Sequence, residues 1–433
     1  MRTGPGERGM SLLEAIVAMA IGAVVLAMAL TMAVGQQRTY FRGERFRAAQ
    51  SSSRQAALAI EGTLRRAGFG MDPALAFDFT WYGLAEPFAN GALCPADMDG
   101  CPRDSVGNAD ELVFYSRNPY YEVATGVAPT GKAWAPIGIA ADGIDVAAGP
   151  TDRFGRGQIL ELVCGDPNRY AYMTVSTTTP GPAAPGPVHI PLEPVVASDP
   201  FRRQDVALAD GCFLTATVFQ IDRYRYHVRP VQVGQVYGAP QYDPFLVLDM
   251  GVDTDGDGDV DGDDEYLVAG GIQNLQVAYQ FQNGALADVG ATPGTAVAYQ
   301  APAAQALRGD ATAGTITTTD FPLAAPTLDR SIYQPSSWYS VSSSSQERLT
   351  NNQGNIRAVR VSLLAQSPTP DVQEPSNIRV DANFSMLNFD PGSRANWMTV
   401  PFHKPNWDDG YQRARVDTTV SIPNANVRAM IAY

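Results

Sequence analysis

The chain has 433 residues and a formal net charge of −14, and it contains 40 glycines and 32 prolines. The acidic balance argues against nucleic acid as a partner of the bulk of the chain, because phosphate backbones are bound by basic surfaces. The abundance of glycine and proline favours a loop-rich β protein over a helical one.

The N-terminal segment is a polar leader followed by an apolar run. The leader, residues 1–9, ends in Glu7-Arg8-Gly9, and residues 10–34 then carry a single charge, on Glu14. As a helix the run is about 37 Å long, enough to span a bilayer with some tilt. A charge at the centre of such a helix costs on the order of 2.5–3.5 kcal/mol, so a function for Glu14 is indicated.

This combination resembles the class III signal of type IV prepilins. The resemblance implies that a membrane-bound prepilin peptidase cuts after Gly9 and methylates the new N-terminus, Met10, where most pilins have phenylalanine. Glu14 is then the fifth mature residue, and its implied role is to pair with an N-terminal amine of its own subunit or of a neighbour in the filament. The alternative is an ordinary secretory signal peptide, but the apolar region of such a peptide has only about 7–15 residues.

The helix is predicted to continue through residues 36–67, because apolar residues recur at helical spacing from Ala57 to Ala67. It is expected to end at Gly68-Phe69-Gly70 and Asp72-Pro73. This segment is basic, which favours pairing with neighbouring subunits, contact with anionic lipid head groups, or plain solvation. The positive-inside rule alone favours the opposite orientation of the membrane segment. We nevertheless expect the head outside the cytoplasm, because the prepilin leader has a fixed orientation and the downstream cysteines are typical of an oxidising compartment.

From about residue 74 the pattern predicts antiparallel β structure, because apolar and polar residues alternate in several segments. Stretches rich in small or polar residues are predicted as loops at 177–187, 283–319 and 336–354. The predicted strands are Glu111–Ser116, Gln158–Cys164, Tyr170–Ser176, Phe213–Val228, Pro244–Asp249, Gly271–Phe281, Asn355–Gln366 and Ala414–Pro423.

Residues 253–264 read Asp-Thr-Asp-Gly-Asp-Gly-Asp-Val-Asp-Gly-Asp-Asp, which is the pattern of a Ca²⁺ loop of the EF-hand type. Its flanks look like strands, so the ion would join two strands instead of two helices. Without a cation the aspartates would repel one another; the alternative is an acidic surface turn that binds no ion. The expected affinity for Ca²⁺ is that of extracellular calcium-binding modules, with a Kd of roughly 10⁻⁴–10⁻³ M. The expected ligands are the side chains of Asp253, Asp255 and Asp257, the carbonyl of Asp259, Asp261 through a water, and Asp264, for which Glu265 is a substitute.

The four cysteines are an even number in a domain expected to be exported, so disulfides are expected. Four cysteines allow three connectivities. We favour Cys94–Cys101, which enclose a turn-like hexapeptide, together with Cys164–Cys212; the alternative is free buried thiols. A metal site at these cysteines is not expected, because no CxxC pair exists and the three histidines form no ligand-spaced cluster with them.

Four short segments extend the resemblance into the head: residues 110–116, 270–279, 356–364 and 415–420. With the prepilin helix before them, they look like the PilW-type minor pilins and, more distantly, the GspJ-type pseudopilins. The head is larger than is usual in that family, and the extra length lies mostly in residues 74–210 and 283–354.

The resemblance implies an α+β, pilin-like fold, with a long N-terminal helix packed on a predominantly antiparallel β head. The first half of the helix is expected to span the membrane and the second half to be amphipathic. The expected domains are the leader (1–9), the helix (10–68, with 10–34 transmembrane) and a periplasmic or extracellular head (69–433).

The function implied is that of a minor pilin, which joins a priming complex for type IV pilus assembly and remains at the pilus tip. The implied partners are the prepilin peptidase/methyltransferase, the inner membrane, other minor pilins, the major pilin and a large tip adhesin of the PilY type. The chain is expected in the inner membrane before assembly and at the pilus tip afterwards. The alternatives are a type II secretion pseudopilin and a tip adhesin, with Tyr333, Trp338 and Tyr339 as contact candidates. An enzyme is not expected, because no HExxH, GxSxG, P-loop or dinucleotide glycine motif is present.

Overall fold

The computed structural model describes residues 11–71, 75–77, 109–119, 121–122, 130–131, 133–149, 151–163, 170–181, 186–194, 201, 215–236, 239–281, 356–370, 376, 378 and 410–423. Within these residues one α-helix, α1 (Leu12–Leu64), is followed by a predominantly antiparallel β head. The expected α+β architecture is therefore confirmed.

The second half of α1 packs on the head through the face predicted from the sequence. Ala57, Ile60, Leu64 and Ala67 are all buried there. The chain leaves the helix through Gly68 and Gly70, whose φ angles are +75° and +70°. The Gly68 amide donates to the Tyr115 carbonyl (2.9 Å) and the Arg117 amide donates to the Phe69 carbonyl (2.8 Å). The end of the helix is thereby attached to the first strand of the head.

Fourteen strands are present in the described part of the chain. They are β1 (Leu112–Arg117), β2 (Tyr121–Glu122), β3 (Thr130–Gly131), β4 (Ala133–Ile139), β5 (Gly143–Ala148), β6 (Ile159–Val163), β7 (Tyr170–Thr174), β8 (Gly186–Pro191), β9 (Thr217–Val236), β10 (Ala239–Asp249), β11 (Tyr266–Gly270), β12 (Ile272–Phe281), β13 (Ile356–Gln366) and β14 (Arg413–Ser421).

Nine strands form the larger sheet, in the order β11-β10-β9-β4-β5-β8, with β1, β6 and β7 branching from this path. The long strand β9 organises the sheet, because it pairs antiparallel with β1, β4, β6 and β10. A smaller sheet has the order β12-β13-β14, and β2 pairs with β3.

The chain passes from the larger sheet to the smaller one at Gly271. The Gly271 amide donates to the Pro244 carbonyl, and its carbonyl accepts from the Gln366 amide, both at 2.7 Å. The φ angle of Gly271 is +74°, and a Cβ there would lie 2.6 Å from the Gln366 carbonyl oxygen. Only glycine fits this position without displacement of a neighbouring strand.

Two main hydrophobic cores result. The first lies between the buried face of α1 and strands of both sheets, and it includes Phe114, Tyr226 and Val361. The second lies among β4 to β8 and contains Trp134 and Phe154, whose ring centroids are 4.7 Å apart. The head therefore has a helix-bearing core and a second core further from the helix, both built on β9.

All eight predicted strands are present, with ends shifted by a few residues in most cases. The largest difference is in the β9–β10 hairpin, which continues to Val236 and starts again at Ala239. The register places Pro230 opposite Pro244 and Pro240 opposite Gln235, so the missing amide donors fall in two pairs of the hairpin. Strands β4, β5 and β8 were not predicted; β4 contains a bulge near Gly138, and β8 carries proline at both ends.

Candidate functional site

The first candidate site is the start of α1. Ser11 is the N-cap: its hydroxyl accepts from the Glu14 amide (3.3 Å), and its own amide donates to Glu14 Oε2 (3.0 Å). This reciprocal capping satisfies two amide donors and places a carboxylate at the positive end of the helix dipole. Gly9 and Met10 lie outside the described residues. The Glu14 carboxylate is therefore held at the amide of the residue that follows Met10 in the chain.

The apolar segment that follows is not covered by the described part of the head. Leu12, Val24 and Met32 are 80%, 54% and 70% exposed, and all residues from 31 to 42 are exposed. Among the described residues, α1 is the one helix long and apolar enough to cross a membrane, and its apolar window is entirely unburied. Such a surface requires cover by lipid or by other helices.

The second candidate site is the loop of residues 253–264, here called the aspartate loop. It connects β10 to β11, which are antiparallel neighbours at one edge of the larger sheet. The loop therefore joins two strands, as expected from its flanks.

Three of the six expected ligand residues are brought together in this loop. One carboxylate oxygen each from Asp253, Asp255 and Asp257 lies within 4.8 Å of the other two. Oxygens bound to one Ca²⁺ at 2.3–2.6 Å are at most about 5 Å apart, so the spacing fits a hard cation. Asp253 is buried, and its oxygens accept from the amides of Gly256 and Gly258.

The other three aspartates hold the loop in shape. The Asp259 side chain pairs with Arg156 at 2.9 Å. Asp261 caps a single 3-10 turn, Gly262–Asp264. Burial raises the pKa of Asp264, but hydrogen bonds from Thr254, Asp261 and Asp255 outweigh this effect and lower the pKa below its usual value. Its carboxylate is directed at these donors and is not part of the three-residue cluster.

Four arginines surround the aspartate loop, and the sequence analysis missed them. Arg156 donates to the Gly258 carbonyl, and Arg229 donates to the Gly262 carbonyl at 3.0 Å. Arg153 lies against Gly256, and Arg223 lies against Gly251 just before the loop. These cations offset part of the repulsion among the aspartates. Two of them are signalled in the sequence by the row Arg223, Arg225, His227 and Arg229, which alternates along one face of β9.

Buried ion pairs fix the base of the loop. Arg225 donates to Glu111 at 2.8 Å and to Asp249 at 3.1 Å, and Arg223 Nη2 lies 3.8 Å from Asp249. Burial opposes the charged form of Asp249, but the two arginines and the Gly251 amide lower its pKa to about 2. Glu265 contacts His227 at 3.2 Å and Arg229 at 2.6 Å, so two other side chains already engage the substitute ligand.

The aspartate loop also connects the two cores. The Asp253 amide donates to the Arg156 carbonyl at 3.0 Å, and the Thr178 hydroxyl donates to the Asp253 carboxylate. Arg156 and Thr178 belong to the segments around β6 and β7, which carry the second core, whereas β10 and β11 contribute to the first.

Cys94, Cys101, Cys164 and Cys212 lie outside the described residues, and so do Tyr333, Trp338 and Tyr339. The predicted loops 283–319 and 336–354 also lie outside them.

Comparison with known proteins gives one match. The family model described as the prokaryotic N-terminal methylation motif matches residues 5–30, the region that contains Glu14 and the start of α1. No curated protein and no solved structure matches the chain. The motif implies processing by a prepilin peptidase and association with pilus components. The chain thus carries a type IV pilin-like prepilin signal, which supports a type IV pilin or pseudopilin family.

Proposed function

We propose that the protein is a PilW-like minor pilin, a non-catalytic subunit that joins a priming complex for type IV pilus assembly and stays at the pilus tip. The observation that carries the proposal is the capped start of α1. There the Glu14 carboxylate lies 3.0 Å from the amide of Ser11, the second residue of the processed chain. Cleavage would create an amine at Met10, adjacent to this carboxylate. In the fibre, the amine of a neighbouring subunit would pair with the carboxylate instead.

The head supports a tip position within the pilus. Its described residues alone comprise 14 strands and two main hydrophobic cores, with smaller clusters beside them. A body of this size fits the end of a fibre better than the shaft, where subunits pack closely. At the tip it would contact other minor pilins, the major pilin and a large tip adhesin.

Two measurements test this role. Mass spectrometry of the extracted protein is expected to show a methylated N-terminus at Met10, and a chain that begins at Met1 or beyond Val34 would refute the proposal. Glu14→Gln keeps the size of the side chain and removes its charge, so we expect normal cleavage but reduced co-purification with other minor pilins. Glu44→Gln, an exposed change on the same helix, is the matched control.

A type II secretion pseudopilin is the second candidate, because the same N-terminal motif occurs in both systems. A deletion strain separates them. Loss of surface pili with normal protein secretion supports the minor pilin, and the reverse result supports the pseudopilin.

We further propose that the aspartate loop binds Ca²⁺ through Asp253, Asp255 and Asp257, with the carbonyl of Asp259 as an additional ligand. The charge of a bound ion would stabilise the loop and, through Asp253, the junction between the two cores. Isothermal titration of the full chain in detergent is expected to show one site in the range of roughly 10⁻⁴–10⁻³ M.

The calcium proposal is tested by two substitutions that remove the same charge. Asp255→Asn, in the three-carboxylate cluster, is expected to abolish Ca²⁺ uptake. Asp263→Asn, on an exposed residue outside the cluster, is expected to leave it unchanged. Absence of heat at millimolar Ca²⁺ in the unmodified chain would rule the site out.

A further inference from the structure

A ring of basic and aromatic side chains follows the apolar segment of α1. It consists of Arg38, Tyr40, Phe41, Arg42, Arg45 and Arg47, and we call it the basic collar. Tyr40 and Phe41 are 64% and 50% exposed, and their rings meet edge to face with centroids 5.9 Å apart. The described part of the head does not cover the helix over residues 31–42, all of which are exposed. Arg45 is half-buried, and Arg47 is exposed and pairs with Glu44 at 3.2 Å.

The height of the collar above the apolar segment is set by the helix, which continues without a break from Leu12 to Leu64. At 1.5 Å per residue, Arg38 lies about 6 Å beyond Val34, and Arg42 lies about 12 Å beyond it. The head-group layer on each side of a bilayer is about 5–8 Å thick. Arg38, Tyr40 and Phe41 therefore fall at or just above this layer, and Arg42 lies within a Debye length of it.

The charge of the collar contrasts with that of the rest of the chain. Residues 36–60 contain five arginines and one acid, Glu44, whereas residues 67–433 contain 22 basic and 41 acidic residues, a net charge of −19. An acidic head is repelled by an anionic membrane, and an attraction at the basic collar offsets this repulsion where the helix leaves the bilayer. Tyrosine and arginine are side chains that favour a membrane interface, and phenylalanine is found on the apolar side of helices that lie there.

We propose that the basic collar binds anionic phospholipid head groups in the leaflet on the head side of the membrane. The proposal rests on the proposed orientation of the chain, with the head outside the cytoplasm. The arginines contact phosphate, and the two aromatic rings lie at the outer side of the head-group layer. The subunit is thereby held at a defined depth until it is extracted into a fibre, where these contacts are exchanged for others.

The test uses the full chain in nanodiscs of phosphatidylcholine and phosphatidylglycerol at a 7:3 ratio. Native mass spectrometry counts the lipids that remain bound after the disc is removed. One variant carries Arg38→Gln with Arg42→Gln. The matched control carries Arg54→Gln with Arg65→Gln, which removes the same charge from one exposed position further along the helix and from its exposed C-cap.

We expect phosphatidylglycerol to be enriched over its 30% share in the unmodified chain and in the control. One arginine near an anionic surface contributes about a fivefold preference, so the collar variant is expected to lose most of the enrichment. Raising NaCl from 0.1 to 0.5 M is expected to reduce the enrichment as well, because the contacts are exposed to solvent.

Two results would overturn the proposal. One is equal enrichment in the collar variant and the control. The other is no enrichment in any form together with loss of self-association in the collar variant alone, which would assign the collar to the acidic head of a neighbouring subunit. Because the assay requires no pilus and no partner pilins, it can succeed or fail independently of the proposed role in assembly.

Discussion

The carboxylate of Asp249, at the base of the aspartate loop, gives the sharpest test of the electrostatics. Asp249 ends β10 and is buried between Arg223 and Arg225. Burial raises the pKa of Asp249, but the two arginines and the Gly251 amide outweigh it and lower the pKa to about 2. The unfolded chain has a pKa of about 3.9 for this group.

The sign of the pH dependence follows from this shift. A group whose pKa is lower in the folded state stabilises the protein above the pKa of the unfolded chain. Its contribution is lost as the pH falls from about 4 to about 2. At 1.36 kcal/mol per pKa unit, the depression corresponds to about 2–3 kcal/mol of unfolding free energy.

The assay is urea unfolding of the head in the full chain at a series of pH values. Asp249→Asn is expected to unfold about 3–5 kcal/mol more easily at pH 7, because two buried arginines lose a counter-charge. Between pH 4.5 and 2 the variant is expected to lose about 2 kcal/mol less than the unmodified chain. Asp263→Asn is the control, because Asp263 is exposed.

Equal pH slopes for the unmodified chain and Asp249→Asn would refute the reasoning. If Asp249→Asn alone does not fold, Arg223→Met is added to it. The double variant removes one buried charge of each sign and is expected to fold with the reduced acid dependence. An acid dependence equal to that of the unmodified chain would again contradict the assignment.

Three further changes test the packing of α1, the backbone geometry at Gly271 and the buried ion pair between Arg117 and Glu161. Ile60→Ala removes a fully buried side chain of α1 and is expected to lower the unfolding free energy by about 2–5 kcal/mol, whereas Leu58→Ala, on the exposed face of the same turn, changes it little. Gly271→Ala is expected to lower the melting temperature by several degrees, because a Cβ there would lie 2.6 Å from a backbone oxygen. Gly234→Ala is its control, because a Cβ there would have no atom of the described residues within 4 Å. Glu161→Gln removes the charge of a fully buried carboxylate that pairs with Arg117 at 2.8 Å, and it is expected to lower the unfolding free energy in urea by about 3–5 kcal/mol. The double change Arg117→Met with Glu161→Leu removes both charges and is expected to restore much of this loss.

Local pattern was sufficient for the helix and for most strands. The spacing of Ile60 and Leu64 identified the face of α1 that is buried, because helical periodicity places such residues on one side. It failed for β4 and β8, because both contain proline, which pattern reasoning treats as a strand breaker. In β8 the prolines lie at the edge of the sheet, where a missing amide removes no hydrogen bond to a further strand.

The aspartate loop shows the same division. Its oxygen-rich spacing follows from the sequence, and Asp253, Asp255 and Asp257 do lie together. The sequence argument from mutual repulsion was incomplete, because it counted only charges that are near in the chain. Arg156 reaches the loop from about one hundred residues away, and a contact at that separation exists only once the two cores pack.

The sequence by itself determined the features that depend on neighbouring residues. These are the prepilin signal around Gly9 and Glu14, the length of the apolar helix, the alternation of the main strands and the acidic composition of the loop. Tertiary structure alone decided which distant groups meet. It placed the end of α1 on β1, passed the chain between sheets at Gly271, and surrounded the aspartate loop with arginines from separate segments. The physical reason is that hydrogen-bond spacing and helical periodicity are short-range, whereas the pairing of buried charges depends on how whole strands align.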